Sequence, residues 1–308
     1  MTHVRVGHVY YYARIVFMNI LKELRSTHGV ISAERVVLTK EIQEILGKQL
    51  GAKARTNNRH VEVFSFHYRV NGHAVAGFAL IPKRMKIPVP VIVYNRGGTG
   101  DFGLVKRGGM FVDLAEMARW GSAIIGSQYS GNVVSEGKEE RGGSDVEDIL
   151  VLLKLIEKLK FINKKKIGMY GASRGGMMTY RTLVRSSRVK TAVIVAGEAD
   201  LVSAVKWRPE MKEVFVECFG GSMREMRLRS AVYWASKLPR KTPILLIHGT
   251  ADDKVNYLDS LNMSHELQKY KIPHKLVLFE GGDHQLTDYK TDEQKLVRNW
   301  FGEFGFYE

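Results

Sequence analysis

Short apolar runs alternate with amphipathic stretches along most of the chain. Residues 60–70 and 73–81 have the character of two strands joined by Asn71-Gly72, a dipeptide typical of tight hairpins. Later apolar runs predict buried strands, and the stretches between them have helical periodicity. These predicted strands span residues 89–94, 122–128, 166–170, 191–196, 243–248 and 274–279. Strands that alternate with helices indicate an α/β fold, with a mostly parallel sheet and helices on both faces.

The first 58 residues follow a different pattern. Apolar side chains between Val9 and Leu24 recur at helical spacing, which predicts an amphipathic helix that packs on the main body. A second helix is predicted over residues 39–50, with Thr39 as its cap. Residues 51–58 are polar and predict a linker. We therefore expect an N-terminal helical extension over residues 1–58, followed by one α/β domain over residues 59–308.

Composition and charge exclude several classes of protein to which this chain could belong. The 308 residues are 44% hydrophobic, enough for a large core, and no run of 18 apolar residues predicts a membrane helix. The net charge of +15 is not concentrated in a basic run that is interleaved with stacking aromatics, so we expect a solvated basic surface and no specific nucleic-acid partner. Cys218 is the single cysteine, which excludes an internal disulfide and a Cys-rich zinc site and favours the cytoplasm.

The sequence Gly171-Ala172-Ser173-Arg174-Gly175 follows a predicted strand and opens a predicted helix. A strand, a sharp turn and a helix form the setting of a nucleophile elbow, in which serine occupies a strained backbone conformation. Glycines at both ends let the helix cross close to the strand. The alternative is a glycine-rich turn that binds phosphate at the helix N-terminus.

Two later strand ends carry an acid and a histidine. Asp252 follows the strand at 243–248, and His284 lies in a glycine-rich loop after the strand at 274–279. Taken alone, the aspartate could cap a helix and the histidine could be a surface residue. The chain order Ser173, Asp252, His284, each after a separate strand, is the order of a catalytic triad on an α/β-hydrolase fold.

A fourth strand end offers donors for an oxyanion. Acyl transfer needs N–H groups that stabilise the oxygen that becomes negative. The backbone N–H of Arg174 is one candidate, and the Gly97-Gly98 turn after the strand at 89–94 offers the other. We favour Gly98, with Gly97 as the alternative donor and a purely structural turn as the remaining interpretation.

These segments together resemble the α/β-hydrolases of the prolyl oligopeptidase type, serine peptidase family S9. The resemblance covers about residues 61–304 and is carried by VIVYNRGG, GKEERGGSDVEDIL, YGASRGG, RSAVYWASKL, PILLIHGTADDKV and FEGGDH. It implies that Ser173 is the nucleophile, His284 the general base and Asp252, rather than Asp253, the acid that orients the histidine. It also implies that residues 59–308 form the catalytic domain, with no metal or organic cofactor.

The sequence departs from that family in two places. About 60 residues precede the hydrolase region, too few for the β-propeller that many members carry, which weakens the expectation of a peptidase relative to a hydrolase. Arg96 stands where the family often has tyrosine or histidine, so either a backbone N–H replaces that donor or Arg96 adds positive charge near the mouth of the site. Candidate substrate contacts are Arg96 and, in the insertion at residues 198–241, Glu198, Trp207 and Arg208.

We therefore expect a serine peptidase that hydrolyses short or acylated peptides through an acyl-enzyme. A carboxylesterase is the alternative, since neither fold nor triad selects the leaving group. A non-catalytic basic binding module is the third hypothesis, and it leaves the order of the three residues unexplained. The expected partner is a small peptide or ester substrate, with no membrane partner, and the sequence leaves a homo-oligomer open.

Overall fold

A single nine-stranded sheet organises the protein. The computed structural model describes residues 20–84 and 88–307. The strands are β1 (Val30–Arg35), β2 (Val61–Val70), β3 (His73–Pro82), β4 (Val89–Asn95), β5 (Ala123–Ser127), β6 (Ile162–Ala172), β7 (Thr191–Val195), β8 (Ile244–Gly249) and β9 (His274–Phe279). Their order is β1-β2-β3-β5-β4-β6-β7-β8-β9. Strands β4 to β9 are parallel, whereas β1, β2 and β3 form an antiparallel end that meets β5.

Helices cover both faces of the sheet. They are α1 (Lys40–His60), α2 (Val146–Ile156), α3 (Arg174–Leu183), α4 (Leu201–Trp207), α5 (Met211–Phe219), α6 (Met223–Arg229), α7 (Leu258–Lys269) and α8 (Lys290–Glu303). A further helical segment over residues 107–118 includes the π-helical turn Met110–Leu114. None of the helices in the described ranges is long and apolar enough to cross a membrane.

Alternation along the strands creates two cores. In β4, Val91 and Val93 belong to one buried cluster, and Ile92 between them belongs to the other. The first cluster also contains side chains of α2, α3 and α7, and the second contains side chains of α1 and α8. The predicted α/β fold, with a mostly parallel sheet and helices on both faces, is therefore confirmed.

The predicted hairpin is confirmed as well. β2 pairs with β3 in continuous register from Val61 opposite Pro82 to Val70 opposite His73. Asn71 and Gly72 both have positive φ, which is the conformation that a type I′ turn requires. Asparagine and glycine are the residues that adopt it at least cost.

The N-terminal region differs from the prediction. Thr39 caps α1 and accepts a hydrogen bond from Ile42 N at 3.3 Å, but the linker expected at residues 51–58 is wrong because the helix continues to His60. Gly47 kinks this helix with a φ of 71°, and Asn57 fixes its last turns by donating to the carbonyl oxygens of Phe111 and Val112.

The first part of the N-terminal region also joins the main sheet. Residues 20–26 are helical, with Ile20 and Leu24 buried, whereas the expected helix from Val9 to residue 19 lies outside the described residues. Strand β1, which the polar pattern did not predict, pairs with β2. Residues 30–35 of the expected extension thus belong to the sheet of the α/β domain.

Candidate active site

Ser173 lies at the turn between β6 and α3 in a strained conformation. Its φ of 55° and ψ of −125° are unusual for a residue with a side chain. Its amide donates to Val195 O at 2.9 Å, and its carbonyl oxygen accepts from Gly176 N at 2.9 Å. A Cβ at Gly175 would overlap Asn95 O, so only glycine lets α3 start this close to β4. Among the described residues, the Ser173 hydroxyl has no hydrogen-bond partner.

Asp252 and His284 meet across the ends of β8 and β9. Nδ1 of His284 lies 2.7 Å from Oδ2 of Asp252. The carboxylate is an acceptor, so this contact places the imidazole proton on Nδ1 and leaves Nε2 as the basic nitrogen. A Cβ at Gly249 would overlap the carbonyl oxygen of Gly282, so the close packing of the two loops requires glycine there. Asp253 is exposed and instead pairs with Lys254 at 2.9 Å.

Three further contacts hold the Asp252 carboxylate. Oδ1 accepts from the amides of Lys254 and Val255 at 2.8 and 2.9 Å, and Oδ2 lies 3.1 Å from His248 Nε2. Burial alone would raise the pKa of Asp252, but hydrogen bonds from His248 and His284 outweigh it and hold the pKa well below its usual range. Asp252 is therefore a fixed negative charge beside His284.

The loop after β4 brings a glycine turn to Ser173. A Cβ at Gly97 would lie 3.2 Å from Ser173 Cβ, so the backbone of this glycine is in contact with the serine. Gly98 has a φ of 74°, and its carbonyl oxygen accepts from Arg174 Nη1 at 2.9 Å. Neither glycine amide donates a hydrogen bond to another residue in the described ranges.

Arg174 is the centre of a buried ion-pair cluster under this turn. Its side chain is fully buried, and it pairs with Asp145 Oδ2 at 2.7 Å and with Glu139. Burial opposes its charge, yet Asp145 and Glu139 hold the pKa of Arg174 above its usual value. Glu139 also accepts from the amide of Gly100. The cluster thus ties the β4 loop to the start of α3.

Arg96 does not lie at the mouth of the site. It is only 1% exposed, and its guanidinium donates to backbone carbonyl oxygens, among them Gln128 at 2.7 Å and Gly100 at 3.0 Å. It also stacks 4.9 Å from the centre of the Tyr129 ring. Burial and the nearby Arg174 charge lower the pKa of Arg96 to about 10. The N–H groups of Arg96 are thus hydrogen-bonded to the backbone, and these bonds hold the conformation of the β4 loop.

The other three candidate substrate contacts lie in different surroundings. Glu198 is buried next to Ser173, with its amide 3.2 Å from Ser173 O. Trp207 is about half exposed at the end of α4. Arg208 donates to Glu210 at 2.9 Å and reaches the carbonyl oxygen of Lys254 at 3.4 Å, in the loop that carries Asp252. The structure thus places Glu198 and Arg208 beside the loops of Ser173 and Asp252.

Sequence reasoning missed the polar residues that support these loops. His248, Glu139 and Asp145 were not singled out as site residues. The sequence did contain a signal for Glu139 and Asp145. An arginine in a tight turn between a strand and a helix is expected to be buried, and a buried guanidinium requires carboxylate partners. The acid-rich stretch at residues 139–148 supplied them.

A cavity of about 790 Å³ lies beside the segment that follows the β4 loop. Its wall includes Leu104, Val105 and Gln128, together with residues of β2 and β3. None of Ser173, Asp252 and His284 lines it. This cavity is therefore separate from the contact between Asp252 and His284. In the described part of the chain, no group of three or more His, Cys, Asp or Glu side chains is placed to hold a metal ion.

Comparisons with known proteins agree with this architecture. The model of the prolyl oligopeptidase family, peptidase S9, matches residues 118–305. The uncharacterized peptidase YtmA of Bacillus subtilis is 26% identical over 221 residues, which cover 70% of this chain and 83% of YtmA. Dipeptidyl peptidase 4 of Sus scrofa is 28% identical over 169 residues, 53% of this chain and 21% of that protein.

Solved structures show the same fold. The acylaminoacyl peptidase of Pyrococcus horikoshii superposes with a TM-score of 0.68 at 23% identity, over 79% of this chain and 42% of that one. The chain thus spans most of YtmA but less than half of these larger relatives. The family match covers well over half of the 308 residues, and the predicted resemblance is confirmed. The chain belongs to the prolyl oligopeptidase family, a family of serine-type peptidases with the α/β-hydrolase fold.

Proposed function

We propose that this protein is a serine peptidase that acts through Ser173, His284 and Asp252. The observation that carries the proposal is the 2.7 Å contact between His284 Nδ1 and Asp252 Oδ2, at strand ends on the same edge of the sheet as the strained Ser173 turn. The contact uses Nδ1 as the donor to the carboxylate, so that Nε2 is the nitrogen that can act as the general base.

The reaction proceeds in two steps. His284 Nε2 takes the hydroxyl proton as Ser173 Oγ attacks the scissile carbonyl carbon, and the same nitrogen then gives the proton to the leaving group. Water, deprotonated by His284, attacks the acyl-enzyme and releases Ser173. Asp252 stays ionised throughout and stabilises the imidazolium, in keeping with the lowered pKa of its carboxyl group.

The oxyanion is stabilised by two backbone N–H groups. Arg174 N begins α3, and Gly98 N lies in the glycine turn that contacts Ser173. Gly97 N is the alternative second donor. The Arg174 side chain, held by Asp145 and Glu139, fixes the turn through Gly98 O. Loss of one such donor costs about 10²–10³ in kcat.

The proposed substrates are short or acylated peptides. The support is family membership, together with relatives that are named as peptidases and one that is named an acylaminoacyl peptidase. The reaction uses side chains and backbone alone. We also propose a cytoplasmic protein, for which the single cysteine, Cys218, free and buried, is the support.

Hydrolysis of matched amide and ester substrates tests the proposal. Wild type and Ser173→Ala are compared on aminoacyl 4-nitroanilides and on 4-nitrophenyl esters of the same acyl groups. We expect amide hydrolysis by wild type and a loss of about 10⁶ in kcat in the variant. Ester hydrolysis without amide hydrolysis would instead make the protein a carboxylesterase. Equal rates for the two proteins would overturn the role of Ser173.

A further inference from the structure

Glu198 is a buried carboxylate that the proposed mechanism does not use. It follows β7, and its amide donates to Ser173 O at 3.2 Å, which places its backbone against that of the nucleophile. The residue is only 7% exposed. Its Oε1 pairs with Arg141, whereas its Oε2 is buried without a hydrogen-bond partner among the described residues. A buried carboxylate oxygen without a donor is costly and calls for a physical explanation.

Arg141 fixes this carboxylate between the two loops that meet at Ser173. One guanidinium nitrogen pairs with Glu198, and another donates to the hydroxyl of Thr99, the residue after the glycine turn. The ring of Phe215 packs 5.5 Å from the guanidinium. Arg141 Nε is also buried without an acceptor in the described part of the chain. The pair therefore offers one free acceptor and one free donor beyond its own contact.

In a neighbouring pair of the same chemistry, both carboxylate oxygens have partners, although Nε of the arginine has none among the described residues. Glu139 is a buried glutamate paired with a buried arginine, Arg174, and it lies in the same segment as Arg141. Both of its oxygens are used, because Oε1 binds Arg174 and Oε2 accepts from Gly100 N. An unpartnered oxygen is thus not a general property of this cluster. It is confined to the glutamate whose backbone contacts the nucleophile.

The missing partner must be a donor that is small enough to enter beside the nucleophile. A charged donor makes the stronger hydrogen bond to a carboxylate, roughly twice that of a neutral one. In a peptide substrate, a primary ammonium occurs at the free N-terminus and on a lysine side chain. When the group belongs to the residue that acylates the serine, the α-ammonium nitrogen is two bonds from the scissile carbonyl carbon and the lysine nitrogen is six bonds from it, at the end of a flexible side chain.

We propose that Glu198 Oε2 receives a primary ammonium of the substrate residue that forms the acyl-enzyme. The inference rests on the proposed function and narrows its substrates to those in which that residue carries a positive charge. Arg141 orients the carboxylate, and its unpartnered Nε donates to a carbonyl oxygen of the same substrate.

Three 4-nitroanilides separate the sources of the charge: L-alanine, N-acetyl-L-alanine and N-acetyl-L-lysine. The first has an α-ammonium, the second has none, and the third has only the side-chain ammonium. We expect wild type to favour at least one charged substrate over N-acetyl-L-alanine in kcat/KM. Glu198→Gln should reduce that preference about 10- to 100-fold, the value of one hydrogen bond between charged groups.

Glu139→Gln is the matched control. It also disrupts a buried Glu–Arg pair beside the glycine turn, so it should lower kcat/KM for all three substrates by a similar factor and leave the preference unchanged. An unchanged preference in Glu198→Gln would overturn the inference, and so would a wild type that prefers N-acetyl-L-alanine. If Glu198→Gln fails to fold, the preference of wild type between the charged substrates and N-acetyl-L-alanine tests the inference by itself. No hydrolysis of any substrate by wild type would overturn the proposed function itself.

Discussion

Asp252 and Asp148 are both buried aspartates at this edge of the sheet, yet their surroundings give them opposite properties. Asp252 accepts from two backbone amides and contacts two imidazoles, which together lower its pKa. Asp148, in the first turn of α2, accepts only from Ser130 N at 2.7 Å and Ser130 Oγ at 2.9 Å. Burial dominates at Asp148, and with the Asp145 charge nearby it raises the pKa to about 7.

The difference shows what keeps a buried charge ionised. Asp148 lies in the same acidic segment as Asp145, but Arg174 pairs with Asp145 and Glu139, and Asp148 has no ion-pair partner in the described part of the chain. Donors that face the carboxylate, rather than burial alone, decide whether an aspartate is a fixed charge or a titrating group. The proposed catalytic role thus falls to the aspartate with the larger set of donors.

The largest expected effect is that of Asp252→Asn on catalysis. The amide cannot hold His284 with its proton on Nδ1, so we expect kcat to fall by about 10⁴ while the fold persists. Steady-state hydrolysis with a folded variant, verified by circular dichroism, measures the loss. Asp253→Asn is the control, and its exposed side chain predicts a rate close to wild type. Equal losses in the two variants would contradict the assignment of Asp252.

The same variant should affect stability with a defined pH dependence. The folded pKa of Asp252 is lower than the unfolded value of about 3.9, so its charge stabilises the fold above about pH 4, and that contribution is lost as the pH falls further. The difference in unfolding free energy between wild type and Asp252→Asn should shrink as the pH falls below 4. Urea titrations at several pH values test this.

A smaller effect is expected from Arg174→Met. The substitution leaves Asp145 and Glu139 as buried carboxylates without their partner, so we expect a loss of about 3–5 kcal/mol in unfolding free energy. The control is Arg185→Met, which removes a half-exposed pair with Glu147 and should cost less than about 1 kcal/mol. Similar losses in both variants, measured by urea unfolding, would contradict a special role for the Arg174 cluster.

Asp148→Asn should change stability with a pH slope opposite to that of Asp252. Between about pH 4 and pH 7 the folded state holds a proton on Asp148 that the unfolded state has lost, so rising pH lowers wild-type stability by at most about 1.4 kcal/mol per unit. An asparagine can keep both Ser130 contacts and does not titrate. The unfolding free energy of the variant should therefore increase relative to that of wild type as the pH rises to 7.

Urea unfolding at pH 5 and pH 8 measures the Asp148→Asn prediction. Asp259, whose pKa burial also raises to about 7, is present in both proteins, so its contribution cancels from the difference. A difference between variant and wild type that does not change with pH would show that Asp148 is ionised in the fold throughout this range.

Features with local signatures could be predicted from the sequence. The Asn71-Gly72 hairpin, the parallel strands and the strand–turn–helix around Ser173 each follow from residue patterns within about ten positions. The approach of Asp252 and His284 followed from chain order on this fold, because the ends of parallel strands lie at one edge.

Features that depend on distant contacts could not be predicted. Residues 51–58 look like a linker, but Asn57 bonds to carbonyl oxygens more than fifty residues away, and those bonds outweigh a weak local preference. Arg96 was expected near the mouth, whereas carbonyl oxygens from Gly100 and Gln128 enclose it. In both cases the partner that decides the structure is remote in sequence.

Intact-mass labelling with a fluorophosphonate probe tests the central claim most directly. The account predicts a single adduct on wild type and none on folded Ser173→Ala, because only a serine that is activated by a neighbouring base reacts with this probe. No adduct on folded wild type, or the same adduct on Ser173→Ala, would contradict the claim that Ser173 is the nucleophile of this site.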